Sequence, residues 1–388
     1  MAIDFPNSPT VGQVFTSGGS SWQWDGVKWV AQASTPPPQG TPNKLVNPFM
    51  EIDQANEGAA ITVTPGIGGY PVDGWTISNS GGSGITLSVQ RVTDAPVGYS
   101  NSIRVTVTTA SAVIASTQAT IQQRFEGDEL LDTSFGAANA KTVSLAFWVK
   151  TSVAGTYCAS LRCTAVNRSY VFAFTIAAAN TWQQVTQTIP GDTGAGWVIT
   201  GNALQMLLDV SMAAGSTFQG TGNSWQAANI LGTSAMTNTL TTTTSATFQL
   251  GPAGLWVAPA PQPLLRTSIQ AELARCQRYY EKSYDPGSAV AGTGLTGVSF
   301  FYAAAGVANA LSGAGTGVFF KTTKRVDPTL TIYSNVTGAS GKLRDNTASA
   351  DINANVGTAA TNGFYWFGTA AAPGTMNITG HWTADARL

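Results

Sequence analysis

From Lys44 to about Pro263 apolar and polar residues alternate with a period of two, and this alternation constrains the fold more than any other feature. Ile85, Leu87 and Val89 alternate with Thr86, Ser88 and Gln90, and Ile103, Val105 and Val107 with Arg104, Thr106 and Thr108. Val143, Leu145, Phe147 and Val149 share one parity; so do Tyr170, Phe172, Phe174 and Ile176, and Leu204, Met206, Leu208 and Val210. Successive strand residues point to opposite faces, so each run reads as a half-buried strand. Many such strands, separated by Gly/Asn/Asp-rich turns, predict one β-sandwich of jelly-roll type over residues 44–263. No repeat of about 33–45 residues is visible, which disfavours propellers and solenoids.

The flanks read differently. Residues 1–34 form a miniature β module with strands at 12–15, 21–24 and 27–31, a turn at 17–20, and Asp25-Gly26 as the hairpin signal. Trp22, Trp24 and Trp29 carry more aromatic surface than so short a module can bury, so they are expected to dock onto a partner. Residues 35–43 are Pro-rich and predict a semi-rigid polyproline linker. Residues 264–287 are a connector holding one helix, 268–280, with Thr267 as cap and Gln270 completing a capping box. Ile269, Leu273, Cys276 and Tyr280, spaced 4, 3 and 4, make one apolar stripe, and Asp285-Pro286-Gly287 stops the helix. A helix this short needs a partner, either the sandwich or copies of itself about a shared axis; the second is the expectation. Residues 288–388 return to short β runs and predict a small C-terminal β domain. The expected fold is all-β.

Composition narrows the function. Only 10% of the 388 residues are charged, with a net charge of −1, against about 25% charged in ordinary domains. No Lys/Arg cluster exists to displace counterions from phosphates, so nucleic acid is not an expected partner. No apolar run approaches the length of about 20 that spans a bilayer, so membrane insertion is not expected. The N-terminal residues lack the basic and apolar regions of a secretory signal. Cys158, Cys163 and Cys276 read as reduced, partly buried thiols, the first two on opposite faces if they share a strand. A single histidine, His381, and no Walker A loop leave no expected metal or cofactor.

Catalysis finds little support. Glu126, Asp128 and Glu129 form the densest acidic cluster, and paired carboxylates are what glycosidases use, but the expectation is a solvated loop. His381 with Asp385 lacks the Gly-x-Ser-x-Gly elbow of a hydrolase, so no catalytic residue is assigned. Glycan binding fits better, because sugars stack on aromatic faces while amides and hydroxyls read their hydroxyl groups. Trp148 is the pointed candidate: it shares the outward parity of its strand with Ser144 and Lys150. Trp197 and Trp225 sit in loop-like contexts, and Phe364, Tyr365, Trp366 and Phe367 cover both faces of a strand. The glycan-binding candidates are Trp148, Trp197, Trp225, Tyr365, Trp366, His381 and Trp382.

Several blocks resemble bacteriophage tail-fibre proteins. Phe5-Pro6-Asn7-Ser8-Pro9, Gly12-Gln13-Val14-Phe15 and the stretch from Trp22 to Trp29 resemble a module at the ends of phage structural proteins. The stretch from Leu45 to Gln54, Asp73-Gly74-Trp75, Gln122-Gln123-Arg124-Phe125-Glu126-Gly127 and Leu145-Ala146-Phe147-Trp148-Val149-Lys150 resemble their sandwich, which is similar to jelly-roll carbohydrate-binding modules. Cys276-Gln277-Arg278-Tyr279-Tyr280 and the stretch from His381 to Ala386 resemble their junction and tail. The resemblance implies a homotrimeric, non-enzymatic virion fibre, made in the host cytoplasm and acting outside the cell. Its N-terminus would join tail or adaptor proteins through Trp22, Trp24 and Trp29, and it would bind a host surface polysaccharide. Ile269, Leu273, Cys276 and Tyr280 would pack the trimer. A purely structural fibre or collar component and a glycan-degrading tailspike are the alternatives.

Overall fold

A computed structural model describes residues 4–17, 20–31, 41–81, 84–163, 165–303, 314–369 and 376–388. Contacts divide the chain into two compact units, Met1–Pro42 and Asn43–Leu388. Most of the expected linker, together with the tip of the turn at 17–20, lies outside the described residues.

The first unit is a three-stranded antiparallel sheet of β1 (Val14–Ser17), β2 (Ser20–Trp24) and β3 (Trp29–Ala31). Asp25 closes the second turn by accepting the Val27 and Lys28 amides at 2.8 and 2.7 Å. Those two hydrogen bonds hold its carboxyl below the usual range. Phe5 stacks on Trp29 (centroids 5.3 Å apart, planes 15°) and meets Trp22 edge-on at 5.3 Å. The tryptophans therefore bury part of one another, while Val11 and Val27 stay exposed.

The second unit begins with a sandwich of two antiparallel sheets. Its strands are β4 (Ile61–Val63), β5 (Gly69–Val72), β6 (Trp75–Ser80), β7 (Thr86–Val92), β8 (Ser102–Thr109), β9 (Gln118–Glu126) and β10 (Val143–Thr151). They continue with β11 (Gly155–Cys163), β12 (Arg168–Ile176), β13 (Gln183–Ile189), β14 (Leu204–Ala214), β15 (Trp225–Gln226) and β16 (Thr247–Trp256). One sheet has the order β13-β10-β16-β8-β7-β4 and the other β15-β12-β11-β14-β9-β6-β5. The alternating residues face each other across one core, where Leu87, Val105, Phe147 and Phe248 oppose Ile121, Leu161, Phe172 and Leu208. Each such side chain contributes about 1.5–3 kcal/mol on burial. Cys158 and Cys163 share β11 and point to opposite faces; all three cysteines are free and buried.

The helix corrects the sequence expectation. α1 runs Ile269–Gln277, shorter than 268–280, and its cap is Ser268, whose hydroxyl accepts the Ala271 amide at 3.2 Å. Thr267 instead bonds Glu272 at 3.1 Å. Tyr280 leaves the helix for strand β17 (Tyr280–Lys282), so the stripe holds only through Cys276. Cys276 and Leu273 pack on Val46 and Ile52 of the same chain, while Ile269 stays half exposed. Glu272 accepts the Asn47 amide at 2.6 Å, and Glu126 forks with Arg278 at 2.8 and 2.6 Å. The partner of the helix is thus the sandwich of its own chain, because these charged contacts add to the apolar stripe.

The C-terminal strands are β18 (Ser299–Ala303), β19 (Ala314–Phe319), β20 (Thr329–Tyr333), β21 (Lys342–Asp345), β22 (Ala350–Asn353), β23 (Asn355–Val356), β24 (Gly363–Gly368) and β25 (Met376–Asp385). β25 is the spine of a curled sheet: its residues 381–385 pair with β20, and 383–385 also with β17, while β18 pairs with 376–380 and β21 with 378–379. A separate small sheet, β19-β24-β23, packs Phe364 and Trp366 into a second core with Trp382 and Ile378. The two cores meet at a polar seam. Lys324, fully buried, reaches Glu281 and the Gln277 carbonyl at 2.5 Å each. Lys282 pairs with Glu57 at 2.5 Å, and Gln54 donates to the Tyr280 carbonyl at 2.8 Å.

Candidate functional site

The outer faces of the two large sheets differ. On the seven-stranded sheet the outward residues Thr76, Thr120, Gln122, Ser160, Arg162, Asp209 and Ser211 are all buried. Arg162 forks onto Asp209 at 2.7 and 3.0 Å, and Gln122 donates to the same carboxylate at 2.6 Å. The segment between β14 and β16 lies across this face: Asn229 accepts from Arg162, and the Leu231 carbonyl accepts from Ser211. The middle of this face, along β11, β14 and β9, is thus covered by its own chain.

On the six-stranded sheet, one end is likewise covered, by Trp256, Ala146, Ala258 and Leu264. The other end carries an aromatic and polar patch. β10 puts Leu145, Phe147 and Val149 into the core, so Trp148 and Lys150 point outward. Opposite Trp148, β16 spends two residues, Gly251 and Pro252, between partners Ala253 and Leu250. This bulge tolerates a proline in a central strand and locally re-aims the backbone. Gly251 also makes room for a second indole. A Cβ there would stand 3.0 Å from Cζ3 of Trp182 and 3.1 Å from Cβ of Trp148. The Lys150 ammonium lies 5.2 Å from the centre of the Trp182 ring.

Asp94 gathers the polar partners. It pairs with Lys150, accepts Gln249 Nε2 at 3.1 Å and accepts the Trp182 indole N–H at 3.3 Å. Burial would raise its carboxyl, but these three donors outweigh burial and hold it below the ordinary range. It is therefore an anion at neutral pH. The Trp148 Nε1 donor is buried without an acceptor among the described residues, a rare state for a buried N–H. Trp148, Trp182 and Lys150 are each half-buried and Asp94 is exposed, so the patch offers indole surface beside a carboxylate, an ammonium and an amide. Trp148 is the residue that strand parity singled out. Trp182, Asp94 and Gln249 were missed, because only the strand order β13-β10-β16-β8 brings them together.

The other expected residues are scattered. Trp197 is buried, donates to Asp192 at 2.8 Å and packs on Phe135 (5.0 Å) and Trp225 (5.9 Å). Trp225 spends its N–H on the Pro190 carbonyl at 2.7 Å. Trp366 and Trp382 are core residues of the C-terminal sheets, which leaves them no free face. His381 is 1% exposed, stacks on Tyr284 at 3.9 Å and meets Ser283 Oγ at 3.0 Å and the Gly294 carbonyl at 3.3 Å. Burial pushes its imidazole down, so it is neutral, and Asp385 is occupied by Arg387. The structure thus turns Trp366, Trp382 and His381 from ligand contacts into packing. Tyr365 is exposed at 42% and stacks on Phe367 at 5.3 Å. The acidic cluster is also not a solvated loop: Glu126 is buried under Arg278 and Tyr279. Burial raises the Glu129 carboxyl, which accepts the Glu126 amide at 3.1 Å. Among the described residues no group of three acidic, cysteine or histidine side chains is placed to hold a metal ion, and no helix is long and apolar enough to cross a membrane.

No protein-family pattern matches the chain, and no curated protein is significantly similar to it in sequence. Solved structures are similar to parts of the chain at low TM-scores. The enzymatically active domain of tailspike protein 4 of bacteriophage CBA120 is similar over 48% of this chain at 18% identity and a TM-score of 0.26, and the match spans only 19% of that domain's chain. The family 11 carbohydrate-binding module of a Clostridium thermocellum cellulase is similar over 52% of this chain and 96% of the module, at 11% identity and a TM-score of 0.27. The CBM22-1 xylan-binding domain of Paenibacillus barcinonensis Xyn10C is similar over 53% of this chain and 99% of that domain, at 12% identity and a TM-score of 0.26.

Proposed function

We propose that the protein is a non-enzymatic phage fibre that binds a host surface glycan, and that the Trp148–Trp182 face of the sandwich is a contact site. The observation that carries the reading is the joining of two half-exposed indoles to an ionised Asp94, Lys150 and Gln249 on one open sheet face. Indole faces suit the C–H surface of a pyranose, and the flanking groups suit its hydroxyls. The resemblance of the sequence blocks to tail fibres supplies the virion setting, with attachment through Trp22, Trp24 and Trp29 and three copies per fibre. Burial of Glu126 in its fork with Arg278 supports binding over hydrolysis, since that carboxylate is already spent on structure. The reading is tested by binding of the purified chain to polysaccharide extracted from strains that it coats. Trp182→Ala and Asp94→Asn should each weaken binding about tenfold with an unchanged melting temperature. Undiminished binding by both variants, or sustained release of reducing ends, would sink it.

A further inference from the structure

A cleft of about 490 Å³, inside the usual range for ligand sites, opens between α1, the loop before β4 and the strand β17. It shares no lining residue with the Trp148–Trp182 face. Ile269, Leu273 and Gln277 stand four residues apart on α1 and form one wall. Ile52 and Pro286 extend the aliphatic lining. The charged side chains around it are already engaged. Glu51 pairs with Arg266, and Glu57 with Lys282. Asp53 accepts the Asn56 and Gly58 amides at 3.0 and 2.6 Å, and Arg91 donates to the Glu51 carbonyl. Only the Lys321 ammonium, on an exposed residue, has no such partner among the described residues. Gln277 differs from all of these. It is 5% exposed and its backbone carbonyl accepts from Lys324, yet its side-chain amide meets no partner among the described residues. That amide is not sealed from solvent, so the surface it keeps is turned into the cleft that it lines. A nearly buried amide without a partner is costly, and a ligand that bonds it relieves the penalty.

We infer that this cleft binds the acetamido group of an N-acetylated saccharide. The inference rests on the proposal that the protein binds a glycan, and it adds a second site and a class of sugar. With its charges already paired, the lining favours a neutral group, because a buried carboxylate or ammonium would arrive without a counterion. A Gln side chain offers an N–H donor and a C=O acceptor side by side, the complement of the C=O and N–H of an acetamide. The acetyl methyl matches the aliphatic wall of Ile269 and Leu273, whereas the flat indoles of the other face suit a sugar ring. A hexose with a hydroxyl in place of the acetamido group lacks both the methyl and the second hydrogen-bonding atom, so the cleft discriminates against it.

The full chain is titrated calorimetrically with N-acetylglucosamine, N-acetylgalactosamine and N-acetylmannosamine, each against its parent hexose and its free hexosamine. At least one acetylated sugar should bind about tenfold tighter than both counterparts, with little dependence on salt. Gln277→Leu keeps the bulk and removes the amide, and it should reduce that sugar to the level of its parent hexose, with the melting temperature reporting the fold. Ile269→Glu places a carboxylate in the half-exposed first turn of α1, where the helix dipole accommodates it, and it should weaken binding about tenfold. Trp182→Ala should leave the preference for the acetylated sugar intact. Loss of the preference in Trp182→Ala would move the acetamido group to the indole face and overturn this site while the glycan-binding reading stands. No binding of any acetylated sugar beside retained polysaccharide binding, equal affinity for acetylated and parent sugars, or an undiminished preference in either folded cleft variant would each overturn the assignment.

Discussion

Asp73 shows how one side chain can set the pH response of the fold. It is 3% exposed, accepts the Gln54 amide at 3.1 Å, and is pushed up to about 7 by burial. The hydrogen bonds from Gln54 and the charge of Arg387 only partly oppose that push, and the neighbouring Asp53 adds to it. The folded chain therefore keeps this proton after the unfolded chain has lost it. With the folded value raised above the ordinary 3.8, stability is fully present below pH ~4 and is lost as pH rises towards 7. The loss is on the order of 4 kcal/mol across that window. Asp73→Asn removes this titration, so its urea midpoint relative to the parent should climb from pH 4 to pH 7 and then level off. A difference that stays flat across the window would refute the assignment.

At the scale of elements, glycines in β16 decide which indoles are buried and which remain open. Gly254 lies under Trp256, whose Cη2 would stand 2.0 Å from a Cβ there. Gly254→Ala should cost about 1–3 kcal/mol by overpacking, read as a lowered melting temperature, and an unchanged value would mean that Trp256 can swing away. How much of this was legible follows from the range of each signal. Strand parity acts between neighbours in sequence, so the sandwich and the outward pose of Trp148 and Lys150 could be read directly. The pairing of Trp148 with Trp182 and Asp94 depends on strand order across three crossovers, which no local pattern encodes. The helix stripe misled for a related reason. Its 4-3-4 spacing runs on to Tyr280, yet pairing of Tyr280 with Asp385 draws that residue into a strand. The buried candidates His381 and Trp382 meet partners 98 and 83 residues earlier in the chain, Ser283 and Ser299, and Trp366 joins the core of Trp382 from another sheet, so no local pattern marks them as buried.

For the whole molecule, the boundary expected between residues 263 and 288 separates two hydrophobic cores but falls inside one compact unit. Residues 288–388 alone lack α1 and β17, and with them Gln277 and Glu281, which satisfy the buried ammonium of Lys324. Stripping a buried charge of its partners costs about 3–5 kcal/mol, a large fraction of the stability of a small domain. Residues 288–388 made separately should show no cooperative thermal transition, whereas residues 43–388 should melt cooperatively; independent folding of the shorter piece would contradict the seam. The central strand of the C-terminal sheet carries a further consequence, one of timing. Residues 376–385 pair with four strands that all precede them in the chain, the earliest at Tyr280. During synthesis those strands leave the ribosome with unsatisfied edges, exposed to aggregation until the spine emerges. The sandwich can be complete by then, so the part of the chain that takes shape last is also the part that most needs protection while it waits.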